Sequence, residues 1–423
     1  MRDKSIYSEL IMLVRRIIHP VGFGAFCTEQ FWGRDHNIVL NVVYDCGSRS
    51  LDTKSLQQEI ENTKGLDKGI DLLFISHFHD DHINGIRDIL LKEGQKYIRY
   101  GKTRVILPLL SQHYIREKLQ TDPAYMANYI SFIIDSMADG EHEARYDLSL
   151  TSITGENPSE EVNYVTIGED GVSRALPARL DGKIVLHDNR NNLDIWEYIP
   201  FNFASDDEVE QFEQEVEEEA IELYNIISGN ITKGDIKRLK GIYESIRGKD
   251  TEGNTPKKAD INRQSTLLLS RVASGICIDD MDIYQRYGCR CRYPYDCCYH
   301  CYHHCYYGCS CNCSSCLYTG DSCLNEHILE RLSNVLRRQG VDSSSPIGLL
   351  QIPHHGSENS SDSGLIELGL ARRVFINNVY RRKSSRHPQI SDDIIKACVV
   401  YGVPLHLVSD SDHTRLEMKV CFD

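Results

Sequence analysis

The sequence predicts an α/β fold whose strands carry metal-ligating residues to one edge, and three observations predict it. The run from Asp71 to Ile75 reads as a buried strand and ends in Ser76-His77-Phe78-His79-Asp80-Asp81-His82. The β-branched run Ile38 to Tyr44 ends in Asp45, and later runs end in Gly320-Asp321 and in Pro353-His354-His355. Strands that each finish on a polar, ligand-grade residue are how open α/β sheets gather a site along one edge.

The elements follow in order. Ile38–Tyr44 and Leu72–Ile75 are strands, and Ile83, Ile86, Ile89 and Leu90 recur at helical spacing behind the histidine cluster. Val105 to Pro108 closes a first unit, residues 1–115. Residues 116–260 then turn rich in helical patterns and acidic side chains, with few strand-like runs, and read as a helical acidic insertion. Its longest helix is expected over Asp206–Ile227, with Ser205 as N-cap, and a second over Lys233–Arg247. Gly248 to Pro256 is a returning loop. Strand character resumes at Ser265–Ser270, Leu317–Thr319, Ile347–Ile352 and Val374–Ile376, so residues 261–423 form the second half, interrupted by a Cys-rich insertion at 276–316.

With 423 residues and 41% hydrophobic content the chain can bury a large core. The apolar stretch Leu10–Val14 is followed at once by Arg15-Arg16, too short for a secretory signal or a membrane span, so no membrane is expected and the cytoplasm is. The net charge of −15 argues against a generic nucleic-acid coat, but residues 206 to 222 alone hold ten Asp or Glu. That block reads as a solvated helix face. Sixteen cysteines without a secretory signal suit metal thiolates better than a disulfide framework.

Three imidazoles and two carboxylates between His77 and His82 make a ready metal site. In extended chain His77 and His79 point to one side, while Asp81 and His82 fall where the chain enters a helix and can face a second ion. Two divalent ions are therefore expected. Imidazole and carboxylate donors without thiolate suit zinc, manganese or iron alike. Such a pair acidifies a water to a pKa near ~7 and clamps a developing oxyanion.

Asp45, His77-x-His79-x-Asp81-His82, Gly320-Asp321 and His354 resemble, in order, the signature motifs of the metallo-β-lactamase fold. The resemblance covers residues 20 to 110 and 261 to 423. It implies an αββα sandwich, here with a helical insertion and a Cys-rich hairpin insertion. Val21-Gly22-Phe23-Gly24-Ala25, Asn262-x-x-Ser265, His354-His355-Gly356-Ser357-x-x-Ser360 and Arg386-His387-Pro388 resemble the ComEC-like branch, the nuclease-like domain of the bacterial competence DNA-uptake protein, in a stand-alone soluble form.

By that resemblance His77 and His79 bind one ion and Asp81, His82 and His354 the other, with Asp321 bridging. Asp45 and His355 support them from behind, His354 being preferred over its neighbour because it directly ends its strand. Asp81, Asp321 and His387 are the catalytic candidates, with His387 protonating a leaving alkoxide. Ser357, Ser360 and Arg386 would bind substrate. One departure stands out: where the superfamily usually places a further histidine, the chain reads Ala259 to Gln264. The first metal site is thus expected to be the weaker, with Asp260 or water in the vacancy.

Arg372, Arg373, Arg381, Arg382, Lys383 and Arg386 place six cations within fifteen residues, the electrostatics a phosphodiester needs. The expected function is a metal-dependent nuclease or phosphodiesterase acting on nucleic acid or a nucleotide, with phage defence as a setting. A hydrolase of phosphocholine esters, lactones or thioesters shares the fold. A metal-sensing protein with a residual site is the third reading. Cys289, Cys291, Cys298, Cys301, Cys309, Cys311, Cys313 and Cys316 are candidate ligands of a structural zinc, although their spacing follows no single zinc-finger pattern. The strands flanking this tract run from and to the site edge, which places it at the far end. The helical and Cys-rich insertions are candidate surfaces for a protein partner.

Overall fold

The fold comes from a computed structural model. It describes residues 11–33, 35–110, 112–136, 149–153, 160–168, 171–173, 176–202, 217–228, 233–249, 265–274, 276, 280–285, 312–322, 324, 326–357, 363–379 and 390–422. The first strands are β1 (Ile11–Ile18), β2 (Phe26–Gly33) and β3 (Ile38–Cys46). Helix α1 (Thr53–Glu61), β4 (Leu72–Phe74), α2 (Asp80–Gly85) and β5 (Arg104–Pro108) follow. Next come α3 (Gln112–Thr121), α4 (Pro123–Ser136), β6 (Ser149–Ile153), β7 (Val162–Gly168) and β8 (Gly171–Ser173). Strands β9 (Arg179–Leu180), β10 (Lys183–Asp188) and β11 (Leu193–Phe201) precede helices α5 (Glu217–Ser228) and α6 (Lys233–Lys249). The last part holds β12 (Leu267–Val272), β13 (Asp280–Gln285), β14 (Cys316–Tyr318) and α7 (Glu326–Arg338). It ends with β15 (Leu349–Gln351), α8 (Gly364–Glu367), β16 (Val374–Asn377), α9 (Asp392–Tyr401), β17 (Leu405–Val408) and β18 (Leu416–Cys421).

Two sheets form, in the orders β13-β18-β1-β2-β3-β4-β5-β6-β9 and β17-β16-β15-β14-β12-β11-β10-β7-β8. The alternation of side chains along each strand builds the layers. Val42, Tyr44, Leu72 and Phe74 face Leu268, Cys316 and Tyr318 across the sandwich, while Val43 and Leu73 turn outward to Leu56 of α1 and Tyr129 of α4. On the second sheet Leu267, Leu269 and Leu317 face outward onto Leu332 of α7 and Ile394 of α9. Strands covered on both faces read as unbroken apolar runs, as do β4 and the Leu267–Leu269 part of β12. The result is the expected αββα sandwich.

A polar knot ties the sheets together inside this core. Arg16 Nε donates to Glu29 Oε1 at 2.6 Å, and the hydroxyls of Tyr198 and Tyr318 each donate to Glu29 at 2.8 Å. Although burial opposes its charge, Arg16 stays firmly protonated beside Glu29. The knot pins β14, the strand that delivers Asp321.

The structure departs from the helical reading of residues 116–260. Helices α3 to α6 are present, with α6 extending over the second expected helix. However, β6 and β9 extend the first sheet, and β7, β8, β10 and β11 extend the second. Strand β11 pairs with β12 from Trp196↔Val272 to Phe201↔Leu267, inside the sandwich. Ile195, Trp196 and Tyr198 enter the inter-sheet core, and burial of that order outweighs the acidic and polar character of the surrounding chain.

Strands β12 and β14 pair antiparallel, Leu268↔Tyr318 and Ser270↔Cys316, and Thr266 N–H donates to Ser76 O at the site end. Between them β13 crosses to the first sheet and pairs with β18. Cys289, Cys291, Cys298, Cys301, Cys309 and Cys311 lie outside the described residues. Cys313 and Cys316 are buried. Cys316 packs in the inter-sheet core with Leu268 and Tyr318, and burial pushes its thiol up to about 12.

Candidate metal centre

Strand ends converge as the pattern of the sequence requires. Asp45 closes β3, the histidine cluster leaves β4, Asp321 follows β14, and His354-His355 follow β15. Gly320 takes a left-handed φ of 54°, and a Cβ there would come within 2.7 Å of Ser76 Cβ. Gly47 likewise lies against the backbone of Asp81, where a Cβ would approach within 2.5 Å. Both positions need glycine for close approach, and both bring one ligand-bearing loop onto another.

Two groups of donors result. Asp81, His82, Asp321 and His355 form one and His77, His79 and Asp321 the other, the donor atoms in each lying within 4.8 Å of one another. His82 Nε2 is 3.1 Å from Asp321 Oδ1, and His355 Nε2 is 3.2 Å from Asp81 Oδ2. His77 Nε2 lies 3.5 Å from Asp321 Oδ2 and 3.2 Å from His79 Nδ1. Asp321 is thus common to both groups.

Each imidazole is held by its other nitrogen. His82 Nδ1 sits 2.8 Å from Asp45 Oδ2, His77 Nδ1 2.9 Å from Ser76 Oγ, and His355 Nδ1 2.9 Å from Asn377 O. His79 Nε2 rests 2.8 Å from Asp122 Oδ2, at the junction of α3 and α4. Such partners fix the tautomer and aim of a metal-binding histidine. Asp45 itself accepts from Ser76 N–H at 2.7 Å and Ser76 Oγ at 2.6 Å.

The electrostatics favour positive charge at the centre. Burial works against ionising Asp321, yet His82 and His355 hold its carboxyl well below the usual range. Burial likewise opposes charge on His82, yet Asp321 and Asp45 hold it well above an ordinary imidazole. Burial, then His82, keeps His77 well below. Asp122, against its burial, is brought to about 2 by His79.

Among the described residues Asp81 Oδ1, His82 Nε2 and Asp321 Oδ1 are buried with no hydrogen bond, His82 Nε2 and Asp321 Oδ1 facing each other at 3.1 Å and Asp81 Oδ1 facing Arg49 at 3.4 Å. Most buried polar atoms in folded proteins have a partner, and three of the twenty without one among the described residues belong to this single donor group. Three orphaned atoms around one point, with imidazole and carboxylate chemistry, fit divalent cations.

The structure brings the second of the tandem histidines, and not the first, into the group of Asp81 and His82. His355, expected behind the site, closes the group of Asp81 and His82, and its side chain is 3% exposed. His354, expected as the ligand, is 25% exposed and stands 4.0 Å from Asp321 Oδ2. Both residues adopt left-handed backbone, φ 48° and 56°, so strand alternation no longer decides which one points inward.

Ser357 is buried beside this turn. Ser360, Arg381, Arg382, Lys383, Arg386, His387 and Asp260 lie outside the described residues. Arg372 and Arg373 precede β16, whereas Asn377 at its other end reaches His355, so these two cations lie away from the site edge. Sequence reasoning missed two residues. Asp122 follows α3 with no pattern to mark it. Arg49, half exposed with Nη2 3.4 Å from Asp81 Oδ1, does follow Asp45 in the same strand-end turn, which is a usable signal.

The sandwich and its strand-end donors define a metallo-β-lactamase fold. Residues 40–172 match the family model described as the metallo-beta-lactamase superfamily, and that match supports a metal-dependent hydrolase. No curated protein matches. Two solved structures are similar at low identity. The metallo-beta-lactamase fold protein YhfI from Bacillus subtilis is 8% identical with a TM-score of 0.38, over 94% of this chain and 98% of that one. A long form RNase Z from yeast is 12% identical with a TM-score of 0.33, over 96% of this chain and 41% of that one. Among the described residues no helix is long and apolar enough to cross a membrane.

Proposed function

We propose that this chain is a dinuclear metallohydrolase that cleaves phosphodiesters, in the manner of the ComEC-like nuclease branch its motifs resemble. The observation that carries the reading is Asp321, whose two oxygens face two separate groups of imidazoles. His77, His79 and Asp321 would hold one zinc or manganese ion, and Asp81, His82, His355 and Asp321 the other. Bound there, the ions would supply a hydroxide source at neutral pH and charge compensation for a developing oxyanion.

The chain's own residues do the rest. Asp45 and Asp122 orient His82 and His79. Arg49, half exposed beside Asp81, would offer a planar donor pair to a phosphate, and this cation favours a phosphodiester over a neutral lactone or thioester. Ser357, Ser360, Arg386 and His387 retain their proposed roles in substrate binding and leaving-group protonation. A nucleic acid or nucleotide is the proposed substrate, phage defence the proposed setting and the cytoplasm the proposed location. The helical part of 116–260 and the Cys-rich tract remain the proposed surfaces for a protein partner.

The test is incubation with manganese or zinc and labelled single- and double-stranded nucleic acids. Metal-dependent cleavage is expected, and loss of it in Asp321→Asn. Cleavage unchanged in that variant, or none on any phosphodiester by the loaded chain, contradicts the reading.

A further inference from the structure

We propose that the tandem histidines divide between the two ion positions, with His355 completing the group of Asp81 and His82, and His354 acting as the third imidazole of the group of His77 and His79. The inference rests on the dinuclear reading above and assigns it a ligand. It concerns the position where the expected histidine is missing from residues 259–264.

Asp321 sorts the imidazoles. Its Oδ1 faces His82 Nε2 at 3.1 Å and His355 Nε2 at 3.7 Å. Its Oδ2 faces His77 Nε2 at 3.5 Å and His354 Nε2 at 4.0 Å. His354 therefore approaches the same carboxylate oxygen as His77, away from the oxygen that serves its own neighbour. Two donors each about 2.0–2.2 Å from one ion lie roughly 3–4 Å apart, so 4.0 Å is at the outer limit of a shared ion. His354 stands at the rim of the group, with a quarter of its side chain exposed.

The backbone explains how adjacent residues serve two positions. In a strand, neighbours point to opposite faces. Here the consecutive left-handed residues break that alternation, and the two rings sit 6.2 Å apart at 63°. His354 N–H donates to Gly320 O at 3.2 Å, fixing the turn against the residue that precedes Asp321. Non-glycine residues in this backbone region cost free energy and persist where the surroundings impose them. His77, His79 and Asp321 supply three donors, and an ion of octahedral preference such as manganese has places for His354 and for water besides.

Manganese titration of the metal-free full-length chain tests this, with calorimetry for affinity and electron paramagnetic resonance for the spin-coupled pair. Manganese is used because the cysteine tract disfavours it. The wild type is expected to take up two ions as a coupled pair. His354→Ala should weaken one ion at least tenfold and abolish the coupled signal at limiting manganese, leaving the other ion's affinity within about twofold; the tenfold floor is the lower end for losing an outer-shell partner. His355→Ala should weaken the other ion. Should His354→Ala fail to fold, His354→Gln carries the same test. Two ions bound at wild-type affinity by the folded variant overturn the inference, including the case where only cleavage slows and His354 is a proton donor. A wild type that takes up no manganese sinks the dinuclear reading instead.

Discussion

Asp45 Oδ2 lies 2.8 Å from His82 Nδ1, fully buried, and aims the opposite nitrogen of that ring at Asp321. Asp45→Asn keeps the shape but can offer an amide hydrogen where the ring needs an acceptor. Metal affinity should fall by about 10–100-fold with the fold intact. Competition with a chelator of known affinity measures it, and a change below about twofold would remove Asp45 from the centre.

Asp122 plays the same part for His79, and it approaches the buried Lys118 ammonium as well, at 3.7 Å. Asp122→Asn should weaken one ion by about 10–100-fold and leave the other. The pattern to look for in a metal titration is two unequal steps drawn further apart.

Glu29 accepts from Arg16, Tyr198, Tyr318 and Ser270 in the middle of the sandwich. Removing one member of a buried ion pair leaves an uncompensated charge. Glu29→Ala should cost about 3–5 kcal/mol in urea unfolding. A loss under about 1 kcal/mol would show that the knot does not hold the sheets.

Burial, then Arg373, pushes His406 down to about 4. The unfolded chain therefore protonates this residue first as pH falls from its ordinary 6.5. Its contribution to stability is complete above pH 6.5 and is lost progressively on acidification toward pH 4. His406→Gln should flatten that limb of metal-free urea midpoints relative to wild type. An identical slope in both proteins would contradict the assignment.

Much of the centre was legible because Asp45, His77, His79, Asp81, His82 and Asp321 each follow a strand whose apolar run is visible in sequence. The order of His354 and His355 was not legible. It depends on two successive left-handed residues, and nothing in their side chains announces them. Asp122 was hidden for another reason: it reaches His79 from a helix junction 43 residues away, a distance that no local spacing encodes. Strands β7, β10 and β11 lack a clean period of two, as Leu193–Phe201 shows with Ile195-Trp196 and Tyr198-Ile199 apolar in pairs, and the ten acidic residues just beyond them favour a helical reading of 116–260.

The most direct check of a centre built from distant strand ends is the manganese content of the loaded wild type beside Asp321→Ala, with the unfolding midpoint of each metal-free protein as the control for folding. Two ions per chain in the wild type, and a loss that affects both positions in the variant, are predicted, because Asp321 faces both groups. Equal manganese content in the two folded proteins would contradict the account.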